Sequence, residues 1–120
     1  MTSRLPRLFL DHFFNTSRVI ESADGERLYG LLVGFLSPAR PDESYIHFVG
    51  VDPSRRGKRL ASGLYEEFFD ISRTAGRSIV RAMTSPVNTD SIAFHGAMGF
   101  EASFPPEESN QPVTFKRVLR

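Results

Sequence analysis

The segment from residue 45 to residue 75 constrains the fold more than any other part of the chain. It opens with the apolar run YIHFVGV, which is typical of a central strand covered on both faces of a sheet. Pro53 ends that strand, and a short basic turn containing Gly57 leads into a stretch with apolar residues at helical spacing. Gly76 follows as a helix C-cap. Together these features predict a strand–turn–helix unit, with the helix at 57–75.

Shorter elements surround this unit. Asp24 and Gly25 form a hairpin signal, because both residue types tolerate a positive φ. The other predicted elements are strands at 17–22, 27–36, 78–83, 100–104 and 113–119, a helix at 5–14, and a helix from Asn88 or Thr89 to Gly99. The order α, β, β, β, α, β, α, β, β predicts an α/β (α+β) fold, with a mixed central β-sheet flanked by helices.

The composition favours one globular domain over residues 1–120. The chain has no cysteine, which excludes disulfides, thiolate metal sites and cysteine nucleophiles and fits a reducing cytoplasm. Its three histidines are scattered without carboxylates at ligand spacing, so we expect no metal.

No apolar run approaches the ~20 residues of a membrane helix, and the N-terminus lacks a signal-peptide pattern. We therefore expect a cytoplasmic protein without membrane partners.

The turn before the predicted long helix is suited to binding an anion. Arg55, Arg56, Lys58 and Arg59 fall within five positions, although the net charge is only +1. Unpaired backbone N–H groups and the helix dipole attract phosphate to a helix N-terminus, and Gly57 would let the backbone approach closely. The P-loop and dinucleotide fingerprints are both absent. We therefore expect a diphosphate-bearing ligand of another class.

The same turn resembles the acetyl-CoA-binding motif of the GNAT superfamily, V-x-P-x-x-[RQ]-x-x-G-x-[GA]. Val51, Pro53, Arg56 and Ala61 match that motif, whereas Arg59 stands in its central glycine position. The resemblance implies that backbone amides of the turn hold the CoA pyrophosphate and that the preceding strand holds the pantetheine arm. The cofactor-binding residues that it implies are Val49, Val51, Arg56, Gly57, Lys58, Arg59, Leu60, Ala61 and Asn88.

The later segment NTDSIAFHGAMGF is similar to a second motif of that family, roughly N-x-x-A-x-x-F-Y-x-x-x-G-F. Asn88, Phe94, Gly99 and Phe100 match, and His95 stands where many members have tyrosine. The resemblance implies a GNAT-like fold with a shortened N-terminus, because members usually begin with a strand and a longer helical pair. A sheet without that first strand would expose an edge, which favours a homodimer.

The resemblance implies an N-acetyltransferase that moves an acetyl group from acetyl-CoA to a primary amine, directly within a ternary complex. The acceptor would be a small-molecule or peptide amine that no motif identifies. His95 is the first catalytic candidate, either as donor to the leaving thiolate or as acceptor from the amine. His47 is a second candidate, as the general base, with Glu43 as an alternative. The competing structural interpretations are a helix-surface residue for His95 and a hydrogen-bonded core residue for His47.

Two other functions remain open from the sequence. A non-catalytic CoA-binding or interaction module is suggested by Arg59 and by the shortened N-terminus. Nucleic-acid binding is less favoured, because the chain is nearly neutral and shows no basic stripe with interleaved aromatic residues. We therefore expect no nucleic acid partner.

Overall fold

The computed structural model describes residues 13–55 and 59–119. The strands in these residues are β1 (Arg18–Glu21), β2 (Leu28–Leu36), β3 (Glu43–Val51), β4 (Ile79–Thr84), β5 (Glu101–Ser103) and β6 (Val113–Val118). The helices are α1 (Leu60–Thr74) and α2 (Thr89–Ala97), and a 3-10 turn at Pro53–Arg55 precedes α1. The predicted helix at 5–14 lies outside the described residues, apart from its last two positions.

The six strands form one mixed sheet in the order β1-β2-β3-β4-β6-β5. β3 and β4 run parallel, and the other neighbouring pairs are antiparallel. The crossover through α1 explains the parallel pair, since parallel neighbours need a long connection. The predicted α/β (α+β) architecture is therefore confirmed.

Turn and cap residues fold as the sequence predicts. Gly25 lies in the β1–β2 turn with a φ of 75°, and Gly76 follows α1 with a φ of 78°. The Asn88 side chain accepts a hydrogen bond from the Ser91 backbone N–H at 3.1 Å and thereby caps α2. Gly99, with a φ of 88°, ends that helix. These local signals set where the elements begin and end.

The inner side of α1 packs against the sheet. Phe68 and Phe69 of α1 are fully buried, and Val80 and Phe115 of the sheet are buried in the same cluster. Each such side chain stabilises the fold by roughly 1.5–3 kcal/mol through loss of exposed apolar surface. This packing holds the first turn of α1 beside the C-terminal end of β3.

The parallel pairing of β3 with β4 is short. Their ladder contains three residue pairs and ends at Tyr45 and Arg81. β3 nevertheless continues to Val51 and β4 to Thr84, so the two strands separate toward their carboxyl ends. Ligands of open α/β sheets bind outside the carboxyl ends of strands. The separation therefore marks where a ligand site is expected.

This separation corrects one prediction about β3. His47 is exposed, and Val49 and Val51 are only partly buried. The prediction that the strand is covered on both faces is therefore wrong for its second half. The physical reason is that β4 diverges from this half of the strand, which leaves an open gap beside it.

Candidate active site

A cleft of about 620 Å³ opens where β3 separates from β4 and α1 begins. This volume falls within the range of about 300–1,000 Å³ that is typical of small-molecule sites. The residues that line it are Val49, Val51, Arg59, Leu60, Ala61, Ser62, Tyr65, Asn88, Asp90, Ser91, Phe94 and His95. Every cofactor-binding residue predicted from the sequence and described by the structure lies in this one cleft. Arg56, Gly57 and Lys58 lie outside the described residues.

Arg59 immediately precedes α1 and has a left-handed backbone, with φ 61° and ψ 25°. It is the one non-glycine residue with a positive φ among the residues described. An L-residue in this conformation carries a strain of about 1–2 kcal/mol, whereas glycine carries none. The motif glycine therefore has a conformational reason, and this chain keeps that conformation with an arginine. The Arg59 side chain is exposed at the cleft.

Replacing Arg59 with glycine is expected to raise the free energy of unfolding by up to about 1 kcal/mol. The relieved strain, about 1–2 kcal/mol, exceeds the extra unfolded-state entropy of glycine, roughly 0.5–1 kcal/mol. Urea denaturation of both proteins measures the difference. Arg59→Ala is the matched control, because alanine loses the charge and retains the strain. An equal gain in both variants would contradict the conformational explanation.

His95 lies inside the core and reaches the cleft from α2. It is 5% exposed, and its ring is parallel to the Phe115 ring with 4.1 Å between centroids. Tyr65, Phe94 and Phe100 contact the same ring edge-on. The interpretation of His95 as a helix-surface residue is therefore wrong. Its position on the α2 turn that faces Phe115 explains the burial.

The hydrogen bonds of His95 define which nitrogen carries the proton. Nδ1 lies 2.8 Å from the Ser91 carbonyl oxygen, which can only accept, so Nδ1 is the donor. Nε2 lies 2.8 Å from the Tyr65 hydroxyl. Burial lowers the pKa of His95, partly offset by the Ser91 hydrogen bond, and this favours the neutral ring. In a neutral ring Nε2 accepts, so the Tyr65 hydroxyl donates to it.

Tyr65 is a functional candidate that the sequence does not single out. It is 3% exposed, and burial raises its pKa. Its position on the apolar stripe of α1 gives no separate signal of function. Its hydrogen-bond partner lies 30 residues later, on another helix, and the pair forms only when α1 and α2 pack together.

His47 lies in a narrower gap of about 240 Å³ between β3 and β4. This gap shares Tyr65 and His95 with the main cleft, so both predicted catalytic histidines line adjoining cavities. His47 is exposed, and the interpretation of it as a core histidine is therefore wrong. The separation of the strands removes the cover that this interpretation needed.

Glu43 forms an ion pair with Arg81. It lines neither the cleft nor the gap. Its two carboxylate oxygens accept hydrogen bonds from Nε and Nη2 of Arg81, each at 3.3 Å. The pair lies where β3 and β4 are still joined, and Glu43 is only 9% exposed. The geometry thus favours a structural role for Glu43 over that of a general base.

One known protein family and several curated proteins are similar to this chain. The model of the acetyltransferase (GNAT) family matches residues 3–100. The chain is 33% identical over 86 residues to an L-2,4-diaminobutyric acid acetyltransferase of Halalkalibacterium halodurans, covering 72% of the chain and 44% of that protein. It is 31% identical over 85 residues to the Nocardia farcinica enzyme of the same name, covering 71% and 44%. The chain thus matches less than half the length of these two curated relatives.

Solved structures share the fold. Ard1 from Thermoplasma volcanium has a TM-score of 0.81 at 22% identity, covering all of this chain and 81% of that one. The NatC complex bound to Gag peptide and CoA contains a chain with a TM-score of 0.76 at 21% identity, covering 99% and 79%. At these identities the likeness shows a common fold.

Proposed function

The chain belongs to the acetyltransferase (GNAT) family, and from that premise we propose that it transfers an acetyl group from acetyl-CoA to a primary amine. The observation that carries the proposal is the convergence of the predicted cofactor residues on one cleft. Residues of β3, of the start of α1 and of the cap of α2 meet there, although they are far apart in the sequence.

The groups around the cleft fit the chemistry of acetyl-CoA. The start of α1 offers unpaired backbone N–H groups to a pyrophosphate, and Arg59 adds positive charge beside them. Beyond Tyr45 the edge of β3 that faces β4 has no strand partner in the described residues, so Val49 and Val51 can hydrogen-bond an amide-bearing arm in the manner of a strand. When bound, acetyl-CoA supplies an activated thioester.

Transfer within this cleft depends mainly on positioning and backbone electrostatics. A backbone N–H of β3 beside the gap would stabilise the oxyanion of the tetrahedral intermediate. An ordinary thiol such as that of cysteine has a pKa of about 8.5, so proton donation to the departing thiolate is expected to help only modestly. The chain has no cysteine to carry the acyl group, which favours direct transfer in a ternary complex. His47 and His95 remain the predicted proton-transfer residues.

The proposed acceptor is a small molecule with a primary amine, and L-2,4-diaminobutyrate is the first compound to test. The support is that both curated relatives are named as L-2,4-diaminobutyric acid acetyltransferases. A peptide amine is the second acceptor class, since one structural neighbour is a complex with a peptide and CoA. In L-2,4-diaminobutyrate and in a peptide alike, the amine must be neutral to attack a thioester.

The non-catalytic alternative is weakened by the backbone of Arg59. Two features suggested that alternative, the arginine in the motif glycine position and the shortened N-terminus. Of these, Arg59 adopts the left-handed conformation that glycine would provide. The backbone at position 59 therefore keeps the conformation that the motif glycine would adopt. The alternative predicts binding of CoA ligands without turnover, which the experiment below distinguishes.

The cellular setting and the oligomeric state are also proposals. No helix among the described residues is long and apolar enough to cross a membrane. The absence of cysteine suits a reducing cytoplasm.

β1 lies at one edge of the described sheet, and its Val19 is 36% exposed. Pairing of two such edges would give a homodimer.

Calorimetric titration with acetyl-CoA, CoA and ATP tests the cofactor proposal. We expect micromolar binding of both CoA ligands and much weaker binding of ATP. Thiol release with L-2,4-diaminobutyrate then tests transfer, and a thiol reagent will report CoA alone because the protein has no cysteine. No binding of either CoA ligand would refute the proposal. Binding without release for L-2,4-diaminobutyrate and a panel of other primary amines would favour the non-catalytic module.

A further inference from the structure

We propose that Tyr65 and His95 form a proton shuttle at the reacting end of the cleft, in which Tyr65 is the catalytic side chain and His95 is its positioning partner and proton acceptor. The inference rests on the acetyl transfer proposed above. It assigns the contact with the reacting atoms to a tyrosine of α1, whereas the family resemblance points to position 95 itself.

The polarity of the hydrogen-bond chain carries this inference. The Ser91 carbonyl accepts from Nδ1 of His95, and Nε2 of the same ring accepts from the Tyr65 hydroxyl, each over 2.8 Å. Both protons of this hydrogen-bond series are thus donated in one direction, from Tyr65 to His95 and from His95 to Ser91. The lone pairs of the Tyr65 oxygen are therefore left for a donor in the cleft, such as the N–H of an amine. In this resting arrangement the chain is aligned to receive a proton.

The burial of both side chains gives the arrangement one defined geometry. Tyr65 and His95 are 3% and 5% exposed, yet both line the cleft and the gap beside it. The stacking of the imidazole on Phe115 and its hydrogen bond to Ser91 restrain the ring. A hydroxyl that donates to a restrained acceptor has little freedom of its own. The pair is thus preorganised before a substrate enters.

The bonds and protons of the acetyl transfer balance over two linked steps. When the amine nitrogen bonds to the thioester carbon, it gives a proton to the Tyr65 oxygen while the Tyr65 proton moves to Nε2 of His95. When the C–S bond breaks, sulfur keeps the electron pair, and the two proton movements reverse so that Tyr65 protonates the thiolate. Nitrogen has then lost the proton that sulfur has gained. Tyr65 and His95 return to their starting forms.

The surroundings of His95 suit a temporary acceptor. Among the described residues, the rings against it are Phe94, Phe100, Phe115 and Tyr65, of which only Tyr65 can titrate. The other ionisable side chains that line the cleft or the gap are Arg59, Asp90 and His47. Burial lowers the pKa of His95, so the ring is neutral near pH 7 and returns a captured proton readily to a thiolate.

Steady-state kinetics of Tyr65→Phe and His95→Gln test the shuttle, with acetyl-CoA and L-2,4-diaminobutyrate or the first amine that the wild type acetylates. We expect kcat to fall about 100-fold in each variant, within the usual range for a lost proton-transfer group. The double variant should lose no more than either single one, because both residues serve one transfer. The Kd for acetyl-CoA, measured by calorimetry, should change less than about 3-fold. That change is small compared with the fall of about 100-fold expected in kcat.

Matched controls separate catalysis from packing. Tyr29→Phe removes a hydroxyl from a tyrosine outside the cleft and should leave kcat unchanged. Nitrogen-detected NMR of the imidazole provides a second readout, because the shuttle requires the neutral ring to carry its proton on Nδ1.

Four results would overturn the shuttle. The first two are a loss of kcat below ten-fold in Tyr65→Phe and a proton found on Nε2 of the neutral His95 ring. The third is a loss confined to acetyl-CoA affinity or thermal stability, which would indicate a structural pair. The fourth is a loss of kcat in His47→Gln with activity retained in His95→Gln, which would make His47 the base. Absence of turnover in the wild type with every amine tested would refute the proposed function itself, and the shuttle with it.

Discussion

Phenylalanine at position 61 is expected to abolish acetyl-CoA binding, with an affinity loss of at least about 100-fold, or about 2.7 kcal/mol. Ala61 lies in the first turn of α1 and lines the cleft together with Arg59 and Tyr65. A phenyl ring there would occupy the space in front of the helix N-terminus and block the approach of a pyrophosphate to the backbone N–H groups. The motif accepts only a small residue at this position, which fits that explanation.

Calorimetric titration of Ala61→Phe with acetyl-CoA measures the effect. Glu66→Phe is the matched control, because it introduces the same ring on an exposed face of the same helix, outside the cleft. Circular dichroism should show both variants folded. Wild-type affinity in Ala61→Phe would mean that the ligand does not approach the start of α1, and the proposed orientation of acetyl-CoA would be rejected.

Replacing Phe68 with alanine is expected to lower the free energy of unfolding by about 3–5 kcal/mol. The Phe68 ring is fully buried between α1 and the sheet, and a Cβ added at Gly34 would lie 2.8 Å from its Cζ atom. Because the ring is packed this closely, removing it in Phe68→Ala would leave a cavity that the surrounding backbone cannot readily fill. Since a domain typically has about 5–15 kcal/mol of stability in total, this loss is a large part of it.

Urea denaturation followed by circular dichroism measures the loss for Phe68→Ala. Phe104→Ala is the matched control, because Phe104 is 63% exposed and should change the free energy of unfolding by less than about 0.5 kcal/mol. A difference below about 1 kcal/mol between the two variants would show that α1 is not packed on the sheet as described.

Local sequence signals were sufficient to predict the described strands and helices and many of the residues that line the cleft. Asn88 as a helix cap and Gly76 beyond a helix end act over a few residues, so their neighbours in the sequence already contain the physics. The strand–turn–helix order around Pro53 likewise predicts where β3 ends and α1 begins. The residues predicted to bind the cofactor lie in short, continuous motifs, which is why the sequence alone could point to them.

The burial of individual side chains was harder to predict. Alternation and apolar runs indicate a strand, but they do not reveal where its neighbour departs. His47 is exposed and Val49 only partly buried because β4 leaves β3 after Tyr45. Likewise, the helical spacing around His95 did not reveal that its ring stacks on Phe115 of β6.

By itself the sequence determined the order of strands and helices, the mixed sheet, the basic turn before α1 and the family to which the chain belongs. Each of these depends on residue types within a few positions of one another. Only the tertiary structure decided that Arg59 keeps a glycine-like backbone, that β3 and β4 part to open the cleft, and that the Tyr65 hydroxyl donates to His95. These features depend on how α1, α2 and the sheet pack together, and such long-range contacts leave no pattern that a single sequence displays.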